Sequence, residues 1–177
     1  MDLYFSCSLT GGRQDQPAYA AMVAHLQAQG HTVFTAHLAQ AATLGVAEEA
    51  GLDARVVYAR DVRWLDAAQA VIAEVSTPSH GVGYEIAYAL LQGKPVLALY
   101  RAGARVSKML LGNDHPGMTV RGYGEAGEAV RVMEAFLRGG CEGKRAKGFP
   151  DWQGNASYRC LAHTHAQAAG KLSEGPG

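Results

Sequence analysis

The chain has 177 residues, of which 48% are hydrophobic and 18% are charged, and its formal net charge at pH 7 is zero. This composition is typical of one soluble globular domain and excludes a largely disordered protein. A neutral balance also argues against functions that need a strongly basic surface, so we expect neither a nucleic-acid nor a membrane partner.

The N-terminal residues and the cysteines indicate the compartment. The segment Asp2 to Phe5 follows Met1 with no basic stretch and no long apolar run, so we expect no signal peptide and no membrane span. The three cysteines are widely spaced and odd in number, which is typical of a reducing compartment rather than a disulfide framework. We therefore expect a cytoplasmic protein.

Short apolar runs alternate with helical patterns along the chain. In chain order the predicted elements are a strand Leu3 to Cys7, a helix Pro17 to Gln29, a strand Thr32 to Thr35, a partly helical segment Ala39 to Ala50, a helix Leu52 to Ala67, a strand Ala70 to Val75, a helix after Gly83 that includes Ile86 to Leu91, a strand Pro95 to Tyr100, a short helix near Val106 to Leu111, a strand near Met118 to Arg121 and a helix Glu125 to Leu137. This alternation predicts a parallel sheet covered by helices on both faces. We expect a doubly wound, Rossmann-like α/β fold with five strands in flavodoxin order.

The character of the sequence changes after Arg138. Glycine, lysine and proline become frequent and no apolar period is sustained, so we expect a domain of residues 1–138 and a polar, flexible tail of residues 139–177. The tail contains Cys160, His163 and His165. Because no fourth ligand and no CxxC pair accompany them, we do not assign a metal site there.

The segment from Ser76 to Glu85 contains the first candidate for chemistry. Pro78, Gly81 and Gly83 indicate a loop between a buried strand and a helix, which would place Glu85 in the first turn of that helix. A helix start favours an ionised carboxylate by roughly 0.3–1 kcal/mol, and open parallel sheets bind ligands at the carboxyl ends of their strands. Glu85 is therefore either a nucleophile or an ordinary helix glutamate.

Asp61 is a candidate for a second carboxylate. It lies one turn before Trp64 on the helix that leads into the third strand, from where it could reach the crevice beside Glu85. Two carboxylates in different environments are the usual equipment for cleaving a glycosidic bond. The alternative is an i,i+4 surface ion pair, such as one between Asp61 and a neighbouring arginine.

The loop after the first strand, from Ser8 to Arg13, is a candidate for anion binding. Its small residues let backbone N–H groups approach an anion, its polar side chains add donors, and the next helix begins nearby. It matches neither the P-loop nor the GxGxxG pattern. The alternative is a plain strand-to-helix turn.

Three further positions each allow two interpretations. Tyr4 on the first strand belongs either to the core or to a site that its hydroxyl reaches. His37 follows the second strand and is either structural or close to a ligand. The run from Ser107 to Leu111 suits a subunit contact and the core equally well.

Taken together, these motifs resemble a known family. Tyr4-Phe5 with the loop Ser8 to Arg13, then Asp61 to Leu65, then Pro78 to Glu85 occur in the order and spacing of the 2'-deoxynucleoside 5'-phosphate N-hydrolases. These enzymes belong to the nucleoside 2-deoxyribosyltransferase-like superfamily. The resemblance extends over residues 2–138.

The resemblance implies hydrolysis of the N-glycosidic bond of nucleoside 5'-monophosphates, giving free base and (deoxy)ribose 5-phosphate without a cofactor. It implies that Glu85 attacks C1' and forms a glycosyl-enzyme ester that water resolves. Asp61 would position the sugar or the nucleophile and assist proton transfer. Tyr4 would lie beside the sugar, where a tyrosine is the choice that favours deoxyribose.

The resemblance also implies how the nucleotide is bound. The first loop and Ser79 would hold the 5'-phosphate, His37 would lie near the base, and Ser107 would be donated by the second subunit of a homodimer. The implied substrate-binding residues are Ser8, Leu9, Thr10, Gly11, Gly12, Arg13, His37, Ser79, Gly81, Gly83, Ser107 and Met109. The chain departs from relatives at Cys7, where glycine is common, and at Thr10, where a basic residue is common.

Two other functions stay open at this point. One is a nucleoside 2-deoxyribosyltransferase, in which a second base replaces water as the acceptor. The other is a nucleotide-sensing module that binds without turnover. The sequence does not indicate which base is preferred.

Overall fold

The computed structural model describes residues 1–9, 15–40 and 51–140, in which strands and helices alternate. The strands are β1 (Asp2–Ser6), β2 (Thr32–Val33), β3 (Ala70–Glu74), β4 (Val96–Arg101) and β5 (Met118–Tyr123). The helices are α1 (Gln16–Ala28), α2 (Ala36–Gln40), α3 (Ala54–Ala67), α4 (His80–Leu91), α5 (Lys108–Leu111) and α6 (Ala126–Gly140). Of the predicted segment Ala39 to Ala50, residues 41–50 lie outside the described residues.

The strands form one sheet in the order β2-β1-β3-β4-β5, and all of its pairs are parallel. This confirms the predicted fold class and strand order. The chain moves to one side of β1 for β2 and to the other side for β3, so the connections diverge at the carboxyl ends of β1 and β3. Open parallel sheets bind their ligands at such a switch point.

The core consists of two apolar layers, one on each face of the sheet. Leu3 and Phe5 of β1 pack with α1 and α6, whereas Tyr4 packs with residues of α3 and α4. Because side chains alternate along a strand, Ser6 lies on the same face as Tyr4. The hydroxyl groups of Tyr4 and Ser6 therefore both lie on the face of the sheet that α3 and α4 cover.

The start of α4 differs from the prediction. The helix begins at His80, because the side chain of Ser79 accepts a hydrogen bond from the backbone N–H of Val82 and caps it. Gly81 and Gly83 therefore lie within the helix rather than in a loop before it. Glu85 is in the second turn, and the first turn contains no acidic residue.

The end of α6 lies two residues beyond the predicted domain boundary at residue 138. The rest of the predicted tail, including Cys160, His163 and His165, falls outside the described residues. In the ranges that the structure describes, no helix combines the length and the apolar character needed to cross a bilayer.

Candidate active site

The carboxylate of Glu85 is held at the carboxyl end of β1 by two hydroxyl groups. The hydroxyl of Tyr4 donates a hydrogen bond to Oε1 at 2.7 Å, and the hydroxyl of Ser6 donates one to Oε2. Tyr4 is 1% exposed and Ser6 is 2% exposed, whereas Glu85 is only partly buried. The carboxylate is thus fixed from the sheet side and accessible from the other.

The start of the helix was expected to stabilise the charge of Glu85, and this expectation is wrong. The effect of the helix dipole falls off within the first turn, and Glu85 lies beyond it. The hydrogen bonds from Tyr4 and Ser6 provide the stabilisation instead, because donors to a carboxylate favour its ionised form.

Tyr4 is both a core residue and a site residue. Burial of its ring raises the pKa of Tyr4, and the negative charges of Glu85 and Asp61, followed by the hydrogen bond to Glu85, raise this pKa further. The phenol therefore keeps its proton at neutral pH. It is a permanent donor to the carboxylate.

Asp61 of α3 is paired with the residue before it. Nε and Nη2 of Arg60 lie 2.9 and 2.8 Å from Oδ1 of Asp61, and the guanidinium of Arg60 lies 4.7 Å from the centre of the Trp64 ring. Asp61 is therefore in an ion pair, but with the adjacent Arg60 and not with an arginine one helical turn away, as the alternative interpretation had it. Asp61 still acts on Tyr4 electrostatically by raising its pKa, and the positive charge of Arg60 opposes this effect.

His37 lies in α2 and makes an edge-to-face contact with Trp64, with ring centres 5.6 Å apart. The three side chains of His37, Trp64 and Arg60 form a wall next to Asp61. The structure therefore brings His37 into contact with Trp64, which lies one helical turn after Asp61 on α3. Its contact with a base stays a prediction.

The predicted anion-binding loop is described only in part. Ser8 is buried and Leu9 is partly buried. The other predicted residues of the loop, Thr10, Gly11, Gly12 and Arg13, lie outside the described residues.

A second group of predicted residues lines a cleft of about 1310 Å³ between α4 and α5. Its wall includes Ser79, Gly83, Ser107 and Met109. The residues Tyr4, Asp61 and Glu85 do not line it. The side chain of Ser107 caps α5 by accepting from the N–H of Met109 at 3.2 Å. Within one chain, the predicted residues thus form two groups on different sides of α4.

Gly81 lies beside this cleft at the first turn of α4. A side chain added there would meet the hydroxyl oxygen of Ser79 at 3.8 Å, which is an ordinary contact, and one added at Gly83 would meet nothing within 4 Å. Neither glycine is required by its own backbone angles. Any need for small residues here would come from a ligand.

Two residues of the site were missed from the sequence. Ser6 contacts Glu85 directly, and the alternation of β1 puts it on the face of Tyr4, so this signal was present. Arg60 binds Asp61, which it precedes directly. Helix pairing rules consider residues three or four apart and give no such signal.

Comparisons with known proteins show which family the sequence matches. Residues 3–136 match the model of the nucleoside 2-deoxyribosyltransferase family. The 5-hydroxymethyl-dUMP N-hydrolase of Rattus norvegicus is 38% identical over 138 residues, covering 76% of this chain and 83% of its own. The enzyme of the same name from Tetraodon nigroviridis is 40% identical over 140 residues, covering 77% and 97%.

A solved structure has the same fold. It is that of a CMP N-glycosidase from Clostridium botulinum, with a TM-score of 0.58 and 16% sequence identity, and the likeness covers 76% of this chain and 99% of that one. At this level of identity the likeness supports the fold.

Proposed function

The chain belongs to the nucleoside 2-deoxyribosyltransferase family, and we propose that it hydrolyses the N-glycosidic bond of nucleoside 5'-monophosphates to free base and (deoxy)ribose 5-phosphate. The observation that carries this proposal is the partly exposed carboxylate of Glu85, oriented by Tyr4 and Ser6 at the switch point of the sheet. The names of the relatives support hydrolysis of a deoxynucleotide. We assign the activity to residues 1–138. We place the protein in the cytoplasm, because three widely spaced cysteines favour a reducing compartment.

The first chemical step uses Glu85 as the nucleophile. Its carboxylate attacks C1' of the sugar, a C1'–O bond forms, and the C1'–N bond breaks with its electron pair leaving on the base. The departing base takes up a proton from solvent water, and Asp61, which is ionised in its pair with Arg60, assists this transfer by orienting the water. Two carboxylates on one crevice are what this displacement needs.

The second step returns the enzyme to its starting state. Water attacks C1' of the glycosyl ester, the C1'–O bond to Glu85 breaks, and the carboxylate of Asp61 accepts the proton of the water and then returns it to solvent. The carboxylate that is released is the one to which Tyr4 and Ser6 donate. The same two donors therefore serve both steps.

We further propose that the 5'-phosphate is bound by the first loop, by Ser79, and by Ser107 of a second subunit. Ser79 and Ser107 of one chain line the same cleft, which supports a polar binding site there. The second subunit is supported by the exposure of apolar side chains near this cleft, since Met109 is 83% and Leu91 is 76% exposed. Apolar surface of this kind is typical of a subunit contact.

The proposal is tested by chromatography of a panel of ribo- and deoxynucleoside monophosphates incubated with the protein. We expect release of free base, reduced by about a thousandfold or more in Glu85→Gln. The matched control is Glu125→Gln, which changes an exposed glutamate outside the site and should keep the wild-type rate. A wild type that binds nucleotides without releasing base, or a Glu85→Gln variant at full rate, would contradict the proposal.

The family name makes a transferase the second candidate. A transferase would move deoxyribose from a nucleoside to another base and would need no 5'-phosphate. Incubation with a deoxynucleoside and a foreign free base distinguishes the two. Exchange of bases in that mixture, without any phosphate, would favour the transferase.

A further inference from the structure

We propose that Ser6 is a positioning residue that sets the plane and the charge of the Glu85 carboxylate. This inference rests on the proposed function, because it gives Ser6 a role in the chemistry of that nucleophile. The motifs that identify the site contain Tyr4 and Ser8, whereas Ser6 is assigned no role by them.

The hydroxyl of Ser6 is buried at the end of β1 and binds Glu85. Ser6 is the last residue of β1, it is 2% exposed, and its partner on β3 is the apolar residue Ala73. A buried hydroxyl needs a hydrogen-bond partner. Its partner here is Oε2 of Glu85, which belongs to a different element and lies 79 residues away in the chain.

Two hydrogen bonds, one to each oxygen of Glu85, fix the plane of its carboxylate, whereas a single hydrogen bond does not. The last torsion of a glutamate side chain is broad, so a carboxylate that is held only by Tyr4 at Oε1 can still rotate. The bond from Ser6 to Oε2 removes this freedom. Each oxygen then directs its remaining lone pair away from β1, and attack on C1' depends on such an alignment.

The bond from Ser6 fits every state of the reaction. In the ester, one oxygen of Glu85 is bonded to C1' and the other is a carbonyl oxygen, and both still accept a hydrogen bond. In the second step the ester breaks and negative charge returns to the carboxylate, which the two donors stabilise. Ser6 keeps its proton throughout, so it positions the nucleophile without taking part in proton transfer.

The test compares Ser6→Ala and Ser6→Cys with the wild type. The cysteine nearly keeps the volume of the serine but is a weak donor, so its effect should lie between those of serine and alanine. For Ser6→Ala we expect kcat to fall by about 10–100-fold while KM changes by less than about twofold, since an aligned donor to a reacting oxygen is lost. The acid limb of the kcat/KM profile should move to higher pH, because the ionised carboxylate loses a donor.

The matched control is Thr35→Val. The hydroxyl of Thr35 is also buried and also contacts β1. It accepts a hydrogen bond from the N–H of Phe5 at 3.0 Å and donates one to the carbonyl of Phe5 at 2.6 Å, so it binds the backbone of β1 and not the carboxylate of Glu85. This variant should lose thermal stability but keep the wild-type kcat and pH profile. If it lost kcat like Ser6→Ala, or if Ser6→Ala kept the wild-type kcat and acid limb, Ser6 would be merely structural and the proposal would be wrong.

A second measurement separates this proposal from the proposed function. The carboxyl carbons of the glutamates are labelled with ¹³C, and the signal of Glu85 is identified by its loss in Glu85→Gln. In Ser6→Ala the titration of this signal should move to higher pH, whether or not any base is released. A wild type without activity would refute the proposed function, whereas an unshifted titration would refute the role of Ser6.

Discussion

Tyr4 combines two properties that rarely occur in one side chain. Its ring is packed among the apolar residues that α3 and α4 place on the sheet, and its hydroxyl lies 2.7 Å from Oε1 of Glu85. The packing fixes the ring, so the direction of the hydroxyl is fixed as well. A donor that is anchored in this way needs no reorganisation during the reaction.

Tyr4→Phe removes the hydroxyl and keeps the packed ring. We expect a fall in kcat because Glu85 loses one of its donors, by about 10–100-fold, and a shift of preference toward ribonucleotides because space opens beside the sugar. The measurement is the ratio of kcat/KM for the deoxy and ribo forms of one nucleoside monophosphate. Tyr58→Phe is the control, since the hydroxyl of Tyr58 contacts Tyr84 on the surface; an unchanged ratio in Tyr4→Phe would contradict the sugar-selecting role.

The residues of the site were predictable to different degrees. Glu85, Asp61 and Tyr4 were found because their motifs recur in a known family, and the structure brings them together. Ser6 was missed because it lies outside the family motifs, although the two-residue period of β1 places it on the same face as Tyr4. Arg60 was not found, because the pairing rules for helices consider residues three or four apart and not adjacent ones.

The helices begin where capping residues allow them to. Side chains of Asp53, Ser79 and Ser107 each accept a hydrogen bond from a backbone N–H in the first turn of α3, α4 and α5. The apolar pattern predicted α3, α4 and α5 as helices but placed their starts at other residues, and it did not predict that α2 begins at Ala36. At α4 the glycines suggested a loop, since glycine costs about 1 kcal/mol in a helix relative to alanine, and the cap and the packing of Val82 and Ile86 outweigh that cost.

The end of β3 contains a fully buried acid, which the proposed chemistry does not use. Glu74 is 0% exposed, and it accepts hydrogen bonds from the hydroxyl of Tyr123 at 2.9 Å and from the hydroxyl of Ser76. Burial raises the pKa of Glu74, and the hydrogen bonds from Ser76 and Tyr123 oppose this only in part. The folded state therefore binds the proton of Glu74 more tightly than the unfolded state does.

The sign of the resulting pH dependence follows directly. The contribution of Glu74 to stability is fully present below the unfolded pKa of a glutamate, about 4.3, and is lost as the pH rises through the raised pKa of the folded state. In Glu74→Gln this loss should be absent. The free energy of unfolding of the wild type, relative to that of the variant, should thus fall as the pH increases.

Urea unfolding at a series of pH values measures this difference. Glu125→Gln, which changes an exposed glutamate, should give a curve parallel to that of the wild type. Parallel curves for Glu74→Gln as well would contradict the expected burial effect.

At the scale of the whole molecule, the sheet brings together residues that are far apart in the chain. Tyr4 lies on β1 while Asp61 and Glu85 lie on the helices before and after β3, and these two strands are neighbours in the parallel sheet. The alternation of strands and helices predicted this neighbourhood, because the doubly wound order puts β1 beside β3. Apolar patterns of one chain, however, do not distinguish a surface that faces solvent from one that faces a second subunit.

The run from Ser107 to Leu111 is the place where this ambiguity matters. Its side chains line the cleft beside α4, and Met109 is 83% exposed. If a second copy covers this face, Met109→Glu should give a monomer by light scattering and raise KM for nucleotides, because Ser107 no longer reaches the partner's phosphate. Val56→Glu, at an exposed apolar residue on α3, should leave the mass unchanged.

A mixing experiment then tests whether Ser107 acts across the interface. Glu85→Gln homodimers lack the nucleophile, and Ser107→Ala homodimers should bind nucleotide weakly. In a mixed dimer, one site combines the intact Glu85 of one subunit with the intact Ser107 of the other, so activity at low substrate concentration should rise above that of either variant after exchange of subunits. Recovery is impossible if both residues act within one chain, since no subunit in the mixture has both, and an active species that stays monomeric would likewise remove Ser107 from the site.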